Sequence, residues 1–271
     1  MSLKLKKIND EIVKPIKLPK IDVKQIKGYE LFPDLYPNIF ICAYKKSGKT
    51  CTIFKILKSC INKDTKVYIF SSTYNRDDNM KHIIEWLEKK GIYNEEYHEV
   101  FPHLNIIIDE IEKEKKDEEM LKQLKEIEHS KPKLISFNES SDNIVIKIRK
   151  SKQLVPEKIF IFDDISSDLK NPIISKLVRQ NRHYKSKCII SSQYPLDLKP
   201  ESRDQIEYWL LFGGIDEDKL EKILKNIGLR IEFSKFMEIY KDATLERYHF
   251  LYVDKNRQIL RKDFNLEYLS D

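Results

Sequence analysis

The sequence predicts an α/β fold with a mostly parallel central sheet flanked by helices and a C-terminal β-hairpin. Short apolar runs have the length of strands buried on both faces, and stretches with apolar residues at helical spacing separate them. Alternation of this kind is typical of a parallel sheet. Near the C-terminus, two β-prone runs flank a polar turn. The strand-like runs are residues 39–42, 66–71, 158–163, 187–192 and 207–212, and the hairpin runs are 248–253 and 258–261.

The chain has 271 residues, 35% of them charged, and a net charge of +6. Residues 1–28 form a predicted basic arm, in which eight lysines stand against three acidic residues. Such an arm suits a phosphate backbone, and a merely solvated tail explains it equally well. Residues 29–271 are predicted to form one domain, with a charged helical and hairpin insertion at 109–150 and C-terminal helices and a hairpin at 216–271.

Membrane and disulfide classes are not expected. No apolar stretch approaches the roughly 20 residues of a membrane span, and no signal-peptide pattern opens the chain. The four cysteines form no Cys-x-x-Cys pair, which argues against a zinc site or a disulfide framework. The sequence therefore predicts a soluble, intracellular protein.

A phosphate-binding loop follows the first strand. Ala43, then four residues, then Gly48, Lys49 and Thr50 match the pattern in which loop amides cradle phosphates at a helix N-terminus. Gly48 lets the backbone approach a β-phosphate, Lys49 is expected to bridge the β- and γ-phosphates, and Thr50 to ligate Mg²⁺. Ala43 departs from the usual glycine, but the position chiefly needs a small residue. The predicted nucleotide-binding residues are Ala43, Tyr44, Lys45, Lys46, Ser47, Gly48, Lys49, Thr50 and Cys51.

Two carboxylates follow the four apolar residues at 159–162. Asp163 is expected to hold Mg²⁺ together with Thr50, and Asp164 to polarise the attacking water. An Asx turn at the end of a strand is the structural alternative. Many ATPases have Glu where this chain has Asp164, so either the water lies closer here or another residue assists Asp164.

Polar residues end two further strands. Residues 71–75 follow one of them, and Gln193 follows another, where it is placed to sense a γ-phosphate or to position water. Arg179 and Arg182 precede the strand at 187–192, where they could contact phosphates or cap a helix.

The remaining segments carry weaker patterns. Residues 16–26 are predicted to be extended, 101–108 to be a strand, and 132–150 to be a hairpin or ordered loop. Residues 109–129 are predicted to be an exposed helix, either solvated or docking another protein.

The ordered motifs AYKKSGKT, SSTYN, IFIFDD, RQNRH and SSQYP, followed by Arg203, resemble those of the viral genome-packaging ATPases of the FtsK/HerA division of P-loop NTPases. That group occurs in poxviruses, giant viruses and virophages. The resemblance runs from about residue 38 to residue 254 and is more specific than the loop alone. It implies a RecA-like (ASCE) core with an extra strand between the P-loop strand and the strand that ends in Asp163.

The resemblance also implies how the protein acts. Its relatives hydrolyse Mg²⁺-ATP as a homo-oligomeric ring, a pentamer or a hexamer, and pump double-stranded DNA into a capsid. Capsid or portal-vertex proteins are then partners, and the host cytoplasm at the viral factory, together with the virion, is the expected location. By position, Lys49 and Thr50 are the Walker A pair, Asp163 and Asp164 the Walker B pair, and Gln193 the sensor. Arg182 and Arg203 are both candidates for an arginine finger, with Arg179 third.

Two other functions share the P-loop. A nucleotide or nucleoside kinase could place acceptor groups at residues 71–75 and would show no stimulation by DNA. A scaffold that binds nucleotide without hydrolysing it would keep hydrolysis at background, against which the intact Asp163 and Asp164 pair argues.

Overall fold

The computed structural model describes residues 22–129 and 153–269, and only the backbone of residues 124–129. Most of the predicted basic arm and the predicted hairpin at 132–150 lie outside the described residues. The predicted division into an arm, a domain and an insertion therefore stays a prediction.

The described residues form one nine-stranded sheet in the order β3-β2-β4-β5-β1-β6-β7-β8-β9. The six strands from β3 to β6 run parallel, and β7, β8 and β9 add antiparallel neighbours at one edge. The predicted α/β class with a mostly parallel sheet and a C-terminal hairpin is confirmed. The strands are β1 Asn38–Cys42, β2 Lys66–Ser71, β3 Asn94–Tyr97, β4 Lys158–Asp163, β5 Ser186–Ser192, β6 Tyr208–Phe212, β7 Phe250–Asp254, β8 Ile259–Lys262 and β9 Leu266–Glu267.

Helices cover both faces of the sheet, because its central strands are apolar on both sides. In β1, Ile39 and Ile41 face the core beneath α1 and α2, whereas Phe40 and Cys42 face the core beneath the remaining helices. The helices are α1 Lys49–Cys60, α2 Asp78–Lys89, α3 His103–His129, α4 Pro172–Gln180, α5 Pro200–Arg203, α6 Glu217–Ile227 and α7 Phe233–Ala243.

Strand β5 separates the P-loop strand β1 from β4, the strand that ends in Asp163. It pairs in parallel with both, with Ile190 opposite Phe40 on one side and Phe162 on the other. This is the extra strand that the sequence resemblance implied.

The predicted strand at 101–108 is wrong, since these residues enter helix α3, which begins at His103. Leu104, Ile107, Ile108 and Ile111 are buried at helical spacing, while Ile106 is 53% exposed. The run of β-branched residues favours a strand locally, but the apolar face of the helix packs against the sheet and decides the outcome. The predicted helix at 109–129 continues it.

Two edge elements also differ from prediction. Strand β3, with the sequence NEEY, is half-buried and polar, so it has no apolar signal, yet it pairs with β2 in parallel. In the segment 16–26, which was predicted to be extended, Val23–Gln25 forms a 3-10 turn instead. Ile26 forms an isolated bridge with Leu154.

Candidate active site

Three strand ends meet at one edge of the sheet. Cys42, the last residue of β1, lies opposite Ser192 of β5, and Ser191 lies opposite Asp163 of β4. The loop joins this arrangement directly, because the Ala43 amide donates to the Ser192 carbonyl at 3.1 Å. The parallel register therefore brings the P-loop, both carboxylates and Gln193 together, as expected for a ligand site at the carboxyl ends of strands.

The loop adopts a backbone suited to binding an anion. Lys46 and Gly48 both have left-handed φ angles, 63° and 96°, and Gly48 caps the N-terminus of α1. Alternating backbone of this kind turns successive amides toward one point, and the helix N-terminus adds its positive dipole. Of the nine predicted loop residues, Ala43, Lys49 and Thr50 are buried, Tyr44, Ser47 and Gly48 are half-buried, and Lys45, Lys46 and Cys51 are exposed.

Lys49 lies between the two carboxylates at the end of β4. Its Nζ is 3.0 Å from Asp163 Oδ1 and forms a closer ion pair and hydrogen bond with Asp164 Oδ1. Burial penalises the charged form of Lys49, but the carboxylates of Asp163 and Asp164 outweigh that penalty and raise its pKa. Burial raises the pKa of Asp163, against the opposing effect of the Lys49 ammonium. The side chain of Asp163 is 1% exposed and that of Asp164 is 29% exposed, so only Asp164 is open to solvent.

Several polar atoms here lack a partner of their own. Within the described segments, both carboxylate oxygens of Asp163 and the hydroxyls of Ser47 and Ser191 are buried without a hydrogen bond of acceptable geometry. The Lys49 ammonium meets the charge of Asp163. Oxygen donors of this type are what Mg²⁺ prefers, so Asp163, together with Thr50, which follows its partner Lys49 in the chain, fits a metal carried by a nucleotide. The unpartnered Ser47 likewise fits a phosphate at the loop.

Asp164 and Gln193 flank the loop from the neighbouring strand ends. Asp164 leaves β4 with a left-handed φ of 53°, and its carbonyl accepts a hydrogen bond from the Ser72 hydroxyl at 2.9 Å. This contact ties the end of β2 to the turn that aims the Asp164 carboxylate. Gln193 is half-buried, and its carbonyl accepts from the Cys42 thiol at 3.6 Å. Both residues are near the loop, as the sequence predicted.

The candidate arginines lie elsewhere. Arg182, 70% exposed, pairs with Glu207, which accepts the amide of Asn38 at the start of β1. Arg203 ends the short helix α5, and its Nε and Nη1 are buried without a partner in the described part of the chain. Both precede strands that run toward the loop, so they lie at the amino end of the sheet. Four residue steps along β1, roughly 13 Å, separate that end from the loop. Within this chain, neither arginine therefore lies at the P-loop.

Sequence reasoning missed one neighbour of the loop. A Cβ built on Gly48 would lie 3.1 Å from Cδ1 of Tyr248, so the tyrosine ring packs against the phosphate-binding turn. The sequence placed Tyr248 in a strand, and no motif marks it.

Comparisons with known proteins bear on the fold. Neither protein-family models nor curated proteins give a match. Among solved structures, the chain is similar to B204, the DNA-packaging ATPase from Sulfolobus turreted icosahedral virus, with a TM-score of 0.50, 18% identity, and coverage of 83% of this chain and 95% of that one. The genome packaging NTPase B204 from Sulfolobus turreted icosahedral virus 2, in complex with ATP-γ-S, aligns with a TM-score of 0.48, 21% identity, and coverage of 84% and 96%.

The chain has the fold of a viral DNA-packaging ATPase. The resemblance that the motifs indicated is thereby confirmed at the level of the fold. Across residues 22–129 and 153–269, no helix is long and apolar enough to span a membrane.

Proposed function

We propose that this protein is an ATP-hydrolysing motor that translocates double-stranded DNA into a viral capsid. The observation that carries the proposal is the convergence of the P-loop, Asp163, Asp164 and Gln193 at the carboxyl ends of β1, β4 and β5. The similarity in fold to a DNA-packaging ATPase adds support.

Each residue near the loop has a role in this proposal. The amides of residues 43–51 cradle the ATP phosphates, and Lys49 leaves its carboxylate partners to neutralise the β- and γ-phosphates. Thr50 and Asp163 would hold Mg²⁺, which would neutralise charge on the phosphate oxygens. Asp164, the more exposed carboxylate, accepts a proton from the attacking water, and Gln193 orients that water.

The position of the arginines favours a ring. Because Arg182 and Arg203 lie at the amino end of the sheet, they belong to a face different from the one that carries the P-loop. A ring built head to tail joins two different faces at every interface. We therefore assign the finger to the neighbouring subunit of a pentameric or hexameric ring, which stabilises the transition state in trans.

The wider assignment follows the same proposal. The ring contacts the backbone phosphates of duplex DNA and docks on capsid or portal-vertex proteins. It acts in the host cytoplasm, at the viral factory, and at the virion.

The test combines two measurements on the full chain. ATP hydrolysis is followed with and without duplex DNA, and the mass of the particle is measured under the same conditions. We expect DNA to stimulate hydrolysis by a particle of five or six subunits. A monomer or dimer that phosphorylates a nucleoside, and whose ATP hydrolysis does not respond to DNA, would indicate a kinase. Nucleotide binding with background hydrolysis would indicate a scaffold.

A further inference from the structure

Tyr248 is an exposed aromatic residue beside the phosphate-binding loop. Its side chain is 65% exposed, yet its ring touches the turn at Gly48. Tyr248 also has a left-handed φ of 73°, which is unfavourable for a bulky side chain. A strained, exposed tyrosine in contact with a ligand-binding turn calls for a functional explanation.

The residues that follow hold this strained conformation in place. Asp263 accepts the Phe250 amide through Oδ1 at 3.2 Å, and its Oδ2 lies 2.6 Å from His249 Nδ1. One carboxylate of the hairpin thus fixes both residues after Tyr248. These hydrogen bonds restrict the backbone that carries Tyr248, so its aromatic ring has a defined position.

The side of the loop on which Tyr248 lies is informative. Strand β1 has β5 and then β4 on one side, and β6 and then β7 on the other. The carboxylates that would meet the γ-phosphate are on the β4 side. Tyr248 directly precedes β7, where Phe250 pairs with Phe212 at the carboxyl end of β6. A nucleotide whose γ-phosphate points to Asp163 and Asp164 therefore extends its nucleoside toward β6 and β7.

We propose that Tyr248 is the stacking platform for the nucleoside part of the bound nucleotide. Every base has a π face, so a stacked tyrosine supplies affinity without reading the identity of the base. The same loop offers a matched control, since Leu245 is also apolar and 79% exposed. The inference rests on the proposed nucleotide site and adds the residue that holds the nucleoside.

The experiment titrates the full chain with Mg²⁺-ADP and with Mg²⁺-tripolyphosphate, which has phosphates but no nucleoside. The variants are Tyr248→Phe, which keeps the ring, and Tyr248→Asn, which removes it while tolerating a positive φ. Leu245→Asn is the control. We expect Tyr248→Asn to weaken ADP binding about tenfold or more, the usual effect of losing a base–aromatic stack. Tripolyphosphate binding should not change, and the other two variants should bind ADP like the wild type.

Other outcomes overturn the inference in distinguishable ways. If Tyr248→Asn weakens ADP and tripolyphosphate equally, the ring only supports the loop. If it alters the mass of the particle and leaves ADP binding intact, the ring belongs to a subunit contact. Wild-type protein that binds neither ligand would refute the proposed function itself, and the inference with it.

Discussion

Lys49 and Asp163 form a buried ion pair in which Nζ lies 3.0 Å from Oδ1. The two residues come from the P-loop and from β4, and strand β5 lies between β1 and β4 in the sheet. A nucleotide phosphate bound at the loop would compete with Asp163 for the same ammonium group. The pair would then couple the stability of the site to its occupancy.

This pair predicts a pH-dependent stability defect. Burial raises the pKa of Asp163, so the folded state disfavours the charged carboxylate. The contribution of Asp163 to the free energy of unfolding therefore falls as pH rises through its folded-state pKa. Lys49 offsets that loss. Lys49→Met should therefore destabilise the fold little at acidic pH, where Asp163 is protonated, and by about 3 kcal/mol at neutral pH, where the buried carboxylate is left without its partner. Thermal unfolding at both pH values checks this, with the exposed Lys46→Met as control; an equal loss at both values would contradict it.

Lys49 and Asp164 should separate binding from hydrolysis. Lys49→Ala removes a phosphate partner and should weaken ATP binding, whereas Asp164→Asn removes only the carboxylate that accepts a proton from water. We expect Asp164→Asn to bind ATP like the wild type and to lose hydrolysis. Titration with ATP and a single-turnover assay measure the two effects. Equal loss of binding in both variants would refute the two roles.

Thr50 should matter only when Mg²⁺ is present. Thr50→Val keeps the shape and loses the hydroxyl that we assign to the metal, while Thr50→Ser keeps the hydroxyl. ADP affinity measured with Mg²⁺ should fall in the Val variant and not in the Ser variant, and with EDTA all three proteins should agree. A defect that persists in EDTA would place the hydroxyl in the fold rather than on the metal.

DNA binding should be independent of sequence and sensitive to salt, because lysines that contact phosphates release counterions. Between 50 and 200 mM salt, several contacts cost about 10³-fold in affinity. Duplexes of equal length and different sequence should bind alike throughout. An affinity that does not change with salt would exclude the phosphate-contact mode.

The sequence predicted the centre of the sheet better than its edges. Residues 67–70 and 159–162 are apolar and buried, so the burial of these strands on both faces can be predicted from the sequence. The positions of Asp163 and Gln193 then follow from the strand ends. Strand β3 has no such signal, because its residues are half-buried at an edge. The strand predicted at 101–108 is wrong because its β-branched residues occupy a helix whose burial depends on tertiary packing.

The site itself was predictable only where residues are close in sequence or end adjacent strands. The contact between Gly48 and Tyr248 joins residues 200 positions apart, and it depends on β6 and β7 pairing antiparallel. The placement of the arginines at the amino end of the sheet likewise follows from strand direction. The spacing of residues in the sequence predicts neither of these placements.

The last prediction concerns a site shared between subunits. A single P-loop lysine leaves part of the transition-state charge without compensation, and a guanidinium from a neighbouring subunit can meet two phosphate oxygens at once. Arg182 suits this role because its side chain is 70% exposed and pairs with Glu207. Arg203 is the second candidate; its Nε and Nη1 lack a partner within the described segments but are buried there. We expect Ala at the residue that acts as the finger to slow hydrolysis by about 10³- to 10⁵-fold.

Mixing experiments decide whether the arginine acts in trans. Asp164→Asn subunits keep their arginine, and Arg→Ala subunits keep their catalytic carboxylate, so a mixed ring contains interfaces at which both are intact. The mixture should regain hydrolysis that neither variant has alone, and Arg→Lys should restore little because an ammonium cannot form the planar fork. Arg179, whose Nε donates to the Ser175 carbonyl at 3.2 Å, is the third candidate and is tested in the same way. If an inactive arginine variant forms mixed rings but is not rescued, that arginine stabilises its own subunit. A neighbouring subunit cannot supply such a stabilising contact.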